Sequence, residues 1–92
     1  MRPFRLGRIV ATPAALAAIE AAGGPSVSAA LLRRHLAGDW GDLDTEDLDA
    51  NHRALNDGAR LLSAYVLPTG ERVWIITEAD RSATTFLLPA DY

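Results

Sequence analysis

The sequence predicts a single α+β domain of order β-α-α-α-β-β-β, in which helices cover a three-stranded antiparallel C-terminal meander. Three observations carry that prediction. Proline and glycine divide the first part of the chain into segments of helical spacing. After Ala59 the apolar period becomes strand-like, and two turn signals, Pro68-Thr69-Gly70 and Ala79-Asp80-Arg81-Ser82, then separate three apolar runs. The 92 residues suit one domain, 1–92, with no linker, internal repeat or low-complexity tail. Its radius of gyration is expected at roughly 12 Å.

The first element is a short strand over 6–11, ending in Ile9-Val10 and bounded by Gly7 and Pro13. Thr12-Pro13 then starts a helix over 13–22, with threonine as cap and proline at the first helical position. Gly23-Gly24 ends it, and a second helix starts at Ser26. There Val27, Ala30, Leu31, Leu32 and Leu36 share helical spacing, and Gly38 closes the element. The third helix carries the fullest signature. Asp44 caps it, Asp47 stands at the third helical position, and Leu43 with Leu48 form a hydrophobic staple. Leu48 and Leu55 mark a narrow apolar face, which places this helix on the surface of the domain, and Gly58 ends it.

The strands follow. Residues 61–67 lead into Pro68-Thr69-Gly70, which suits a type I turn with a left-handed glycine. Residues 72–77 are β-branched and aromatic, the strongest strand signal in the chain. Residues 84–88 return, and Pro89 stops the pairing.

Composition excludes several classes. At 49% apolar and 23% charged the chain is not disordered, and no apolar run approaches a membrane span. Cysteine is absent, which excludes disulfides, thiolate nucleophiles and cysteine-bearing metal sites. The start Met1-Arg2-Pro3-Phe4-Arg5 is basic but no apolar segment follows, so a cytoplasmic location is expected. All nine basic residues are arginine, the mark of a GC-rich coding sequence or of bidentate contacts that lysine makes poorly. No fingerprint for a dinucleotide, phosphate or catalytic triad is present, and no cofactor is expected.

The net charge of −3 hides an uneven layout. Residues 1–38 carry five arginines and Glu20, whereas residues 39–57 carry seven acids against Arg53. The helix dipole accounts for Asp44, Glu46 and Asp47 as stabilised carboxylates. Asp39, Asp42 and Asp57 lie outside that explanation. The functional reading is a negative surface that docks a basic partner protein, carried by Asp39, Asp42, Asp44, Glu46, Asp47 and Asp49. A calcium loop is not expected, because the stretch lacks the glycine and terminal Glu that such a loop needs.

Trp40, in Gly38-Asp39-Trp40-Gly41-Asp42, has two readings: a plug between the second and third helices, or a rigid aromatic anchor for a partner. Arg81 likewise stands either in an Asp-capped turn or as an exposed arginine at a hairpin tip. Of the two histidines, His35 lies on the apolar face of the second helix and reads as packed. His52 lies on the flank of the third.

From His35 onward the segments HLAGDWGDL, RLLSAY and WIITEADRSATTFLLPADY resemble a group of small proteins carried on proteobacterial plasmids and integrative elements. Members of that group are sometimes labelled a type I restriction methylation subunit, but this chain holds no methyl-donor motif and is far too short for one. The resemblance implies a mobile-element setting and brings no catalytic residues to carry over. In that setting the acidic segment is similar to small inhibitors directed at host restriction or CRISPR machinery. Two other readings remain. The element order is similar to that of RelE/ParE ribonuclease toxins, where Arg60, Tyr65, Arg72 and Arg81 would handle RNA phosphates, although the acidic balance argues against nucleic-acid contact. A homodimer paired through an exposed strand edge is the other.

Overall fold

The computed structural model describes residues 4–92; the basic start at Met1-Arg2-Pro3 lies outside them. Its elements are β1 (Arg8–Ala11), α1 (Pro13–Ala22), α2 (Pro25–Leu36), α3 (Thr45–Asp57), β2 (Leu61–Val66), β3 (Arg72–Thr77), β4 (Ala83–Leu87) and a short 3-10 turn (Pro89–Asp91). The radius of gyration is 12.3 Å.

The fold is α+β, but the sheet corrects the three-stranded meander. It has four strands in the order β1-β4-β3-β2, with β1 parallel to β4 and the other pairs antiparallel. The added strand is the first one, which the chain lays beside the last. Such a parallel pair needs a long crossover, supplied here by three helices and a hairpin. Apolar periodicity reports a strand but not its remote neighbour, so this pairing left no local signal.

Gly7 explains why β1 begins at Arg8. Its φ is +64°, and a Cβ there would stand 2.4 Å from the Arg81 carbonyl oxygen. Only glycine lets the chain enter the sheet so close to the β3–β4 turn.

Local rules set the helix ends. The Thr12 hydroxyl accepts the Ala15 amide at 3.1 Å, and the Asp44 carboxylate accepts the Asp47 amide at 2.9 Å. α1 and α2 meet at 108° across Gly23-Gly24. No single helix among the described residues is long and apolar enough to cross a membrane.

Alternation along the strands separates two faces. Tyr65, Val73, Ile75 and Phe86 point at Ala15, Ala18, Ile19 and Leu31 of α1 and α2 and form the main core. A second cluster unites Phe4, Trp40, Ala54 and Leu61, flanked by Leu36, Leu43, Leu48 and Leu55. Leu48 and Leu55 are therefore half-buried supports, and the fully buried residues of α3 are Asn51 and Ala54.

α3 is tied to the β2 edge by the Asn51 amide. Its nitrogen donates to the Leu62 carbonyl at 2.6 Å, and its oxygen accepts the Leu62 N–H at 3.0 Å. The next stretch of that edge is covered by the loop after α2, where Ala64 N–H bonds the Trp40 carbonyl and Asp42 N–H the Ala64 carbonyl. Gly41 permits that approach, since a Cβ would lie 2.0 Å from the Ala64 oxygen.

Candidate functional site

The structure disperses the acidic segment into three roles. Asp39 is a strut: Arg34 Nε donates to it at 2.6 Å, and its own carbonyl accepts the Tyr65 hydroxyl at 2.6 Å. The Arg34 hydrogen bond holds its carboxyl below the usual carboxylate range. Burial pushes the Tyr65 phenol up to about 12. Asp42 pairs with Arg72 at 2.9 Å, which fastens the loop to β3. Asp39 and Asp42 are thus held by the chain's own arginines. Asp44 caps α3. Glu46, Asp47 and Asp49 are exposed, and among the described residues their carboxylates make no hydrogen bond or ion pair.

Trp40 corrects the anchor reading. It is 4% exposed, its ring 5.5 Å from the His35 ring and 6.2 Å from Phe4. It is the plug of the second core cluster and is not available to a partner.

Arg81 corrects the exposed-arginine reading. Its guanidinium donates to the carbonyls of Ala59 (2.6 Å), Glu78 (3.0 Å) and Ala54 (3.2 Å). It therefore caps the C-terminal end of α3, where a cation meets the negative end of the helix dipole. The side chain is aimed there by a left-handed backbone, φ 60°, within a turn that Asp80 braces by accepting the Ser82 N–H.

His35 is fully buried and lies in a chain of hydrogen bonds whose directions can be derived. The Leu6 carbonyl can only accept, so Thr84 Oγ1 donates to it, at 2.7 Å. Thr84 then accepts from Thr77 Oγ1 at 2.8 Å, and Thr77 accepts from His35 Nε2 at 2.9 Å. Nδ1 is left as acceptor for Ser63 Oγ. The imidazole is held neutral as the Nε2–H tautomer, and burial pushes its pKa down to about 4. This is a core network with every member satisfied. His52 is exposed on α3.

An accessible concavity lies on the opposite face of the sheet. A groove of about 420 Å³ has Leu62, Trp74, Ile76 and Tyr92 as its apolar floor and walls. Asp44, Asp47, Arg60 and Arg72 line the same groove. The Trp74 and Tyr92 rings meet edge to face with centroids 5.7 Å apart. Arg60 lies 5.2 Å above the Tyr92 ring and hydrogen-bonds its hydroxyl. Tyr92 reaches this place because the 3-10 turn folds the chain back under β3, braced by Asp91 accepting from Leu88 N–H and the Thr12 hydroxyl.

Sequence reasoning missed Trp74 and Tyr92. The signal for Trp74 was present: it alternates with Val73 and Ile75, so a sheet whose other face packs on helices must turn it outward. Tyr92 carries no such signal, since its place depends on a turn after the last strand.

Chemically, π faces beside the Asp47 carboxylate, which makes no hydrogen bond or ion pair among the described residues, suit a guanidinium or ammonium group. Among the described residues no three His, Asp or Glu groups are arranged to hold a metal ion. No family model, curated protein or solved structure matches the chain.

Proposed function

We propose that this protein is a non-enzymatic binding module, suited to the role of an acidic inhibitor in a mobile genetic element, that engages a basic segment of a partner protein. The observation that carries the reading is the juxtaposition of Asp44 and Asp47 with the aromatic groove of Trp74 and Tyr92. Glu46 and Asp49, exposed on the same helix, extend the negative field that would steer a basic surface into contact. The anchor is Trp74, in place of the buried Trp40.

The ribonuclease reading draws less support from the same geometry. Tyr65 is 1% exposed, Arg72 is engaged by Asp42 and Arg81 by three carbonyls.

The test is capture from host cytoplasm at low and high salt, alongside titration with an arginine-rich peptide. The variant Asp44→Asn, Glu46→Gln, Asp47→Asn, Asp49→Asn keeps a capping side chain at residue 44, so it should fold. It should lose peptide affinity at least about tenfold, together with the salt dependence. Trp74→Ala should weaken binding with the salt dependence retained. Binding that survives both changes overturns the proposal, and so does RNA cleavage by the purified protein.

A further inference from the structure

We propose that two copies of this chain pair through β1, antiparallel about a two-fold axis centred on Val10, and so join their sheets into one. β1 is the outermost strand, hydrogen-bonded to β4 on one side. Arg8 N–H donates to the Ser82 carbonyl and Thr12 N–H to the Phe86 carbonyl, both at 2.9 Å. Backbone groups alternate in direction along a strand, so Val10 also points inward and Ile9 and Ala11 present their N–H and C=O groups outward. Among the described residues nothing pairs with that side of β1, and an edge of this kind is a template for another strand. The opposite edge is treated differently, since Asn51 and the Trp40–Asp42 loop close β2.

A second copy is the occupant because this edge is self-complementary in bonds, shape and charge. An axis at Val10 sets Ile9 opposite the second copy's Ala11, each such pair exchanging both N–H···O=C bonds. On the helix side, a groove of about 240 Å³ opens beside β1, lined by Ala11, Leu16, Ile19 and Phe86. Ala11 is small, and the second copy's Ile9 lies across from it, over that groove. Ile9, Val10 and Leu16 are 49%, 39% and 51% exposed, so three large apolar side chains stand open together beside this edge.

On the other face, Arg8 falls opposite the second copy's Thr12. The Thr12 hydroxyl holds the Asp91 carboxylate at 2.6 Å. Arg8 makes no side-chain hydrogen bond or ion pair among the described residues, and the two-fold supplies it with a carboxylate at each end of the ladder.

Sedimentation equilibrium of the whole chain from micromolar to millimolar concentration tests the pairing, with circular dichroism confirming that each variant folds. The mass should rise from one chain toward two. Val10→Lys sets two ammonium groups across the axis, and Ile9→Pro removes an outward N–H while leaving the inward ones intact. Each should weaken association at least about tenfold; Ile9→Glu replaces the proline variant should that one lose its fold. Arg8→Asp should weaken association as well, because it sets a carboxylate against the second copy's Asp91. A mass that stays at one chain overturns the proposal. A dimer indifferent to Val10→Lys and Ile9→Pro overturns it too, and a dimer indifferent to Arg8→Asp overturns the Val10-centred register.

Discussion

His35 shows what one residue does for the interior. Its position between Leu31/Leu32 and Leu36 made a packed histidine legible from helical spacing. Its partners were not legible, because Ser63 lies 28 residues away and Thr77 lies 42 away. The network also makes stability depend on pH with a definite sign. The unfolded imidazole titrates near 6.5 and the folded one at about 4. Between those values the unfolded state binds the extra proton, so stability is full above pH 6.5 and falls as the pH drops toward 4. Urea unfolding should lose about 3 kcal/mol across that window. Asp39, Asp80 and Asp91 are held by hydrogen bonds below the ordinary carboxylate value of 3.8, so their losses come mostly at lower pH. His35→Leu should abolish the slope between pH 6.5 and 4. It should also cost roughly 2–4 kcal/mol at neutral pH, since Ser63 and Thr77 lose a buried partner. A flat wild-type profile in that window would refute the assignment of a buried neutral imidazole.

At the scale of elements, legibility follows the range of the interaction. The caps of α1 and α3, the end at Gly58 and the turn at Gly70 are decided within four or five residues, and the sequence announced them. The fastenings of α3 are not local. Asn51 carries no cap or turn signal, yet it supplies both hydrogen bonds to Leu62 at the β2 edge. Asn51→Ala should therefore cost about 2–3 kcal/mol, much more than an exposed helix substitution, because two backbone groups lose their partner beside a buried contact. Hydrogen exchange should show the Leu62 amide losing protection first. Arg81 teaches the same lesson from the other end of the helix. Arg81→Lys should fail to restore the stability lost in Arg81→Ala, since one ammonium cannot span three carbonyls. The acidic segment was legible as charge, but charge alone did not separate Asp39 and Asp42, consumed by Arg34 and Arg72, from the carboxylates that face solvent.

For the whole molecule, the decisive contact is the one that joins its two ends. The class α+β and the first strand could be read from periodicity, whereas that strand's place in the sheet could not, because parallel pairing of residues 8–11 with residues 83–86 spans almost the entire chain. That contact is local in space at one point, the crossing of Gly7 over the Arg81–Ser82 backbone. Gly7→Ala puts a methyl where 2.4 Å separates it from a carbonyl oxygen, in a backbone conformation alanine already resists. Neither neighbour is the end of a flexible side chain, so the strand or the turn must move. The expected result is a loss of roughly 2–4 kcal/mol. Protection should disappear from the amides that bridge β1 and β4 while those between β2 and β3 persist, because that hairpin closes through its own Pro68-Thr69-Gly70 turn. Uniform loss of protection throughout the sheet would mean instead that β1 is part of one indivisible unit, and that the meander cannot stand without the strand whose partner the sequence concealed.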